Sequence, residues 1–334
     1  MPGIQGRHHN NRVPKSGGLL RAWHTRRGTP EEARAARLRS SEGSHSRIIM
    51  SHCFAGRDCV PEFSAIENTL FIPMLGRIYA SEHFPNILHD EKALSLKDAL
   101  PEGLADKGSQ SQYTLLASAS RSANMDRCIR HFLRRKPGGV IVELGCGLET
   151  TYCRNDDGHT PWYAVDLPEV MAYRGALLPK PERQTYLAGD AFSDDWIERI
   201  RVDAPDAPVL VTAGGLFHYF EEEKVVALLR MLHGFGNVEV AFDGVSRIGM
   251  GMMRKKYMKQ MGHADARMFF CVDSAAELAR RIGGDACAVA EEPYYRHIDK
   301  AGLKFSTKLS MGVSDRLRMV KMVYVREGEG QLSS

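Results

Sequence analysis

At 334 residues with 43% hydrophobic content, the chain is long enough to bury a sizeable core, as one large domain or two small ones. Its formal charge of +4 is unevenly placed: residues 1–49 hold ten Lys/Arg against three Asp/Glu, a local +7, which leaves −3 for the remainder. No stretch approaches the roughly 18 consecutive apolar residues of a membrane helix, no secretory leader is evident, and the seven scattered cysteines lack paired Cys-x-x-Cys spacing, so a soluble, cytoplasmic protein with reduced thiols, no structural zinc and no membrane partner is expected.

A basic arm suits nucleic acid or organelle targeting. Residues 1–49, however, mix Gly, Ser, Pro and four His with almost no periodic apolar pattern, which predicts a disordered tail and no nucleic-acid partner, with Met50 as an alternative start. From Leu70 the apolar residues fall at 70, 71, 74, 75, 78 and 79, a helical stripe whose first turn is the only place for Pro73. Met125, Ile129, Phe132 and Leu133 predict a second helix that stops before Pro137. The period then changes to short β-rich runs at Val140–Leu144, Trp162–Val165, Thr185–Ala188, Val209–Thr212 and Val238–Phe242, spaced widely enough for crossover helices. Glu221–His233 is the clearest crossover, with glutamates in its first turn and Gly234 as C-cap; Ser274–Ile282 is another. Met322–Val325 reads as a last strand, and residues 328–334 as a frayed tail. This is α/β with a largely parallel sheet.

The chemistry concentrates at strand ends. Glu143, Gly145 and Gly147 form Glu-x-Gly-x-Gly where the first strand gives way to a helix, so backbone can approach a ligand. A dinucleotide pyrophosphate prefers a third glycine, but position 150 is Thr, which suits a nucleoside carrying an amino acid better than a nicotinamide cofactor. Asp166 closes the second strand 19 residues after Gly147, where a carboxylate accepts hydrogen bonds from both ribose hydroxyls. Asp190 follows the third strand, placed for an adenine amino group with Phe192 near the ring. Each has a plain structural use as well, in a turn or a helix cap. Their order at successive strand ends favours the nucleoside.

These residues resemble a known family. Glu-Leu-Gly-Cys-Gly-Leu-Glu-Thr (143–150), Arg154, the run 162–170, Arg174, Ala-Gly-Asp-Ala (188–191) and Trp196 are similar to the leucine carboxyl methyltransferases, especially their polyketide O-methyltransferase branch. The likeness begins at residues 68–70 with Pro73 and Arg77, takes in Arg121 and Asp126, and runs through 215–220 and Glu223 to Asp243. It implies a Rossmann-like, mostly parallel seven-stranded sheet with flanking helices and an N-terminal helical cap. It implies S-adenosylmethionine (SAM) as cofactor, and methyl transfer to a carboxylate or hydroxyl oxygen of a small polyketide-like or other secondary metabolite. By position, Arg121 would pair with the SAM carboxylate, Gly145 and Gly147 would face its methionine part, Asp166 with Leu167 the ribose, and Asp190 with Ala191 the adenine, with Arg77 lining the same pocket. The expected layout is an arm over 1–49 and a methyltransferase domain over 50–327, divided into a cap (50–138) and a core (139–327). The tail is 328–334. The protein is expected to be a monomer or weak homodimer.

Two departures stand out. The family pattern carries Glu after the fourth strand, its carboxylate reaching the SAM ammonium, and this chain has Gly214. Glu149 stands where Asp is commoner, and Thr151 where Arg is. A non-catalytic SAM-fold binding or regulatory protein, or a protein C-terminal carboxyl methyltransferase, therefore stays open as an alternative. For acceptor chemistry, His218 beside Tyr219 at the end of the fourth strand is the candidate base. Residues 244–268, with six of the fifteen methionines, are the expected lid over an irregular apolar ligand.

Overall fold

The computed structural model describes residues 64–100, 111–253, 269–283 and 287–327. The chain divides into two units, Met1–Pro61 and Glu62–Ser334. The basic arm, the Met50 start, the tail and most of the expected lid lie outside the described residues.

Seven strands form one sheet: β1 (Val140–Leu144), β2 (Trp162–Asp166), β3 (Gln184–Ala188), β4 (Val209–Ala213), β5 (Val238–Val245), β6 (Cys287–Pro293) and β7 (Val320–Glu327). Their order is β3-β2-β1-β4-β5-β7-β6. β1 through β5 pair parallel, and β7 runs antiparallel to both β5 and β6. Strand order reverses between β1 and β4, which opens a crevice beyond their carboxyl ends.

The helices are α1 (Ser64–His83), α2 (Glu91–Ser95), α3 (Gln112–Arg135), α4 (Thr151–Asn155), α5 (Pro168–Leu177), α6 (Asp195–Asp203), α7 (Glu222–Gly234), α8 (Ala275–Ile282) and α9 (Phe305–Arg316). Residues 247–253 are helical as well. The central strands are buried on both faces, which is why they read as continuous Val/Ile/Leu runs rather than as alternation. Val140, Val142, Val209 and Val211 pack on the side of α6, α7 and α8, through Ile197, Leu229 and Leu278. Ile141, Trp162 and Leu210 pack on the other side against α3, through Leu116, Ile129 and Phe132.

Three local expectations are corrected. Pro73 lies inside α1, not in its first turn. Loss of one helical hydrogen bond there is offset by burial of Phe71, Met74 and Ile78 on the same face. Gly234 is the last residue of α7 rather than its cap, and the left-handed turn is made by Gly236 (φ 67°) and Asn237 (φ 53°). β6 was not foreseen, because its consecutive acidic residues and terminal proline do not read as a strand; as the outer strand of the sheet it tolerates both.

Candidate active site

The turn after β1 is built for backbone exposure. Gly145 (φ 61°) and Gly147 (φ 45°) both occupy the left-handed region. A Cβ on Gly145 would stand 2.7 Å from Leu216 Cδ1, and one on Gly147 would stand 3.1 Å from Leu70 Cδ2, so a side chain at the first position would push Leu216 aside as well as strain the left-handed backbone. The amides of Gly145 and Cys146 both donate to Val165 O. Arg174, buried on α5, donates through Nη1 to Gly147 O (2.9 Å) and Glu149 O (2.8 Å), clamping the far side of the turn.

Asp166 closes β2 as expected. Its carboxylate accepts from Gly147 N (2.8 Å) and Leu167 N (2.8 Å), tying the end of β2 to the turn that follows β1. Burial lifts its pKa above the ordinary aspartate value despite these N–H bonds, so further donors would be accommodated with benefit. Leu167 beside it is 52% exposed, an apolar surface facing out of the strand end. After β3, Asp190 accepts from Phe192 N (2.9 Å) and lies 3.6 Å from Lys224 Nζ, which rests 4.4 Å above the Phe192 ring. Ala191 is buried, its carbonyl taken by Trp196 Nε1 at 3.1 Å.

The end of β4 carries a second cluster. Gly215 (φ 72°) turns the chain, and Gly214 does not need the left-handed region. Arg121, from the middle of α3, lies across both: a Cβ on Gly214 would be 3.1 Å from its Cδ, and one on Gly215 would be 2.8 Å from its Nη1. Asp243 near the end of β5 accepts from Arg121 Nε (2.9 Å) and from Gly215 N (2.6 Å). Burial pushes the Asp243 pKa up, but the Arg121 charge and the Gly215 N–H help to bring it below the usual range. His218 is buried in the 3-10 turn Phe217–Tyr219, and burial, opposed by Asp243 and aided less by Arg121, lowers its pKa to about 4. Its Nδ1 has no hydrogen-bond partner among the described residues, and its ring lies 4.2 Å from that of Tyr219.

Glu143 and Arg77 sit on the protein side of the turn. Glu143 is buried beneath it, 3.3 Å from Gln184 Nε2, and burial reinforced by Glu149 and opposed by Arg174 lifts its pKa to about 7. Arg77, 1% exposed, donates to Leu148 O (2.7 Å) and pairs with Glu149 (3.0 Å) and Asp90 (3.3 Å). Arg154 joins the same buried network, bonding Asp126, Glu149 and Asp90. Glu149 is therefore fully engaged: burial would raise its pKa, but Arg77, Arg154 and Ser122 draw it down to about 2. Two cavities, of about 640 and 400 Å³, lie behind this network around Lys92 and Cys153, and neither is lined by Asp166, Asp190 or Gly214. The strand-end crevice is thus identified by its chemistry rather than by cavity size.

Sequence reasoning assigned no role to Asp243, Arg174 or Leu216. Only a carboxylate at the end of a fifth strand and an arginine one helix past Asp166 were there to signal the first two. Residues 73–233, about half of the chain, match the leucine carboxyl methyltransferase family model. A tetracenomycin polyketide synthesis O-methyltransferase of Streptomyces glaucescens is 26% identical over 166 residues, covering 49% of this chain and 60% of that relative. The chain thus spans about 60% of that relative's length. Among solved structures, a methyltransferase described as putative from Thermobifida fusca has a TM-score of 0.44 at 16% identity, covering 77% of this chain and 96% of its own. A DUF574 family protein from Streptomyces avermitilis has a TM-score of 0.46 at 16% identity, covering 75% and 96%.

Proposed function

From the match of residues 73–233 to the leucine carboxyl methyltransferase family model, we propose that this protein is a SAM-dependent O-methyltransferase acting on a small-molecule acceptor. The observation that carries the reading is Asp166, a carboxylate at the carboxyl end of β2 bonded to the backbone of the glycine turn at the point where strand order reverses. The residues present fit the cofactor: two left-handed glycines leave backbone bare, Asp166 is short of donors, Leu167 offers an apolar surface, and Arg121 supplies a cation for a carboxylate. In this reading Asp166 takes the ribose, Gly145 and Gly147 border the methionine part, Asp190 and Ala191 flank the adenine, and Arg121 meets the amino-acid carboxylate. Glu143 and Arg77 act from behind, holding the turn in shape.

The cofactor, when bound, supplies an electrophilic methyl group on a sulfonium. The protein's contribution is then mostly to hold an acceptor oxygen close and aligned in a dry pocket. His218, uncharged at neutral pH, is a hydrogen-bond acceptor or donor and a weak base. It suits an acceptor that arrives already ionised, such as a carboxylate, or one whose hydroxyl needs orientation, with Tyr219 alongside. Small secondary metabolites are the acceptor class we favour, met in the cytoplasm by a monomer or weak homodimer. Among the described residues no helix is long and apolar enough to cross a membrane.

Titration calorimetry with S-adenosylhomocysteine tests the cofactor assignment: Asp166→Ala should weaken binding at least tenfold. Unchanged affinity in a folded variant overturns it. Labelled SAM incubated with the protein and a cell extract then reports whether a small molecule, a protein or nothing gains the methyl group.

A further inference from the structure

Arg121 is a long side chain in the middle of a 24-residue helix, and on its own it would sample many rotamers. In the folded chain it is fixed from three directions. Asp243 Oδ2 takes its Nε at 2.9 Å, the Tyr294 hydroxyl shares a hydrogen bond with it, and its guanidinium lies on the bare backbone of Gly215, where a Cβ would approach Nη1 to 2.8 Å. The other Asp243 oxygen takes Gly215 N at 2.6 Å, so one carboxylate sets both the arginine and the turn beneath it. Asp243 is 3% exposed at its side chain and Arg121 is 25% exposed, so the anchor is inside and the fork reaches towards solvent. Only Nε is committed to Asp243, which leaves N–H donors on the Nη atoms for a second anion.

We propose that Asp243 is a positioning residue: it aims the Arg121 guanidinium over Gly215 so that the fork receives the carboxylate of the cofactor's amino-acid part, and it thereby sets affinity for that part alone. The proposal rests on the reading of the crevice as a SAM site. Within that reading it separates two ends of the ligand that the sheet holds by different means. The nucleoside end depends on Asp166 and the turn after β1. The amino-acid end depends on a charge pair linking α3, the β4 turn and β5. Neither partner of this pair is dispensable, because a buried carboxylate stripped of its arginine, or an arginine stripped of its anchor, is left unpaired in a poorly solvated place.

The experiment compares two probes by calorimetry: S-adenosylhomocysteine, which carries the amino acid, and 5′-methylthioadenosine, which has the same nucleoside and lacks it. Asp243→Asn keeps the shape and one acceptor oxygen while removing the charge. It should weaken S-adenosylhomocysteine binding at least tenfold and leave methylthioadenosine within twofold. Equal losses for both probes mean that the pair only supports the fold, and no loss for either means that the fork is aimed by something else; each overturns the proposal. Arg121→Lys, made with Asp243 intact, covers the case in which the first variant does not fold. It keeps the charge and loses the fork, and should show the same selective loss; full retention of S-adenosylhomocysteine affinity overturns the proposal. If the unsubstituted protein binds neither probe, the SAM reading itself has failed, a result separate from every one above.

Discussion

Glu143→Gln tests the buried electrostatics beneath the glycine turn. Burial lifts the Glu143 carboxyl from 4.5 to about 7. In the unfolded chain the group is ionised above about 4.5, whereas in the folded protein it keeps its proton until about 7. The folded state therefore binds more protons between these limits, and stability must fall as pH rises from about 4.5 to 7. At about 1.4 kcal/mol for each tenfold difference in proton affinity, the ceiling is ~3 kcal/mol. Glutamine fills a similar volume, still reaches Gln184, and does not titrate. Glu149 has the opposite sign, its pKa of about 2 giving stability that is present above 4.5 and lost on acidification towards 2. That contribution is common to both proteins and cancels in their difference. Urea unfolding at intervals from pH 4 to 8 should therefore show Glu143→Gln gaining on the unsubstituted protein by about 2–3 kcal/mol between pH 4.5 and 7, then running parallel above it. A difference independent of pH would refute the reasoning, since it would place the carboxylate in contact with water or with a stronger cation than Arg174.

The glycines after β4 should respond unequally. Gly214→Ala meets only flexible side-chain atoms of Arg121 and Met125 and should cost about 1 kcal/mol or less in thermal unfolding. Gly215→Ala faces both a left-handed backbone and the guanidinium, and should cost about 1–2 kcal/mol in the backbone alone while reducing S-adenosylhomocysteine affinity more than tenfold. Equal effects of the two would show that Arg121 does not lie where it is described. Arg174→Met strips the carbonyls of Gly147 and Glu149 of their buried donor and should destabilise by about 2–4 kcal/mol in urea unfolding, with weaker cofactor binding; an unaltered midpoint would mean that water serves those carbonyls equally well.

Much of the fold was legible because its signals are local. The central strands β1, β2 and β4 announce themselves as short apolar runs closed by Gly, Asp or Ala, since a strand covered on both faces has little polar side to display. Asp166 could be placed at the end of β2 from its spacing to the glycine turn, because that turn follows β1 and one short crossover leads to the next strand. Pro73 and β6 were misread or missed for the converse reason. Local propensity disfavours a proline in mid-helix and an acidic strand ending in proline, and tertiary context overrode it through burial of one helix face and placement at the sheet margin. Arg174, Arg77 and Arg154 show the same limit on the polar side. Arg77 and Glu149 are 72 positions apart, and nothing in either neighbourhood says that they meet.

Gly214 was legible as a departure, but its meaning was not. In the sequence it reads as a missing carboxylate, a loss to the ligand's ammonium. In the structure the space beside it holds the methylenes of Arg121, and the charge nearest that arginine comes from Asp243, 122 positions further along the chain. A glutamate at 214 would therefore begin its side chain against Arg121 and reach a guanidinium already paired, before it reached any ligand. Gly214→Glu should then form a new pair with Arg121 and draw the fork away from the crevice, so that S-adenosylhomocysteine binds more weakly to this variant than to Gly214→Ala. Tighter binding by Gly214→Glu would mean that the arginine yields its place freely, and that the pairing with Asp243 is not what holds it.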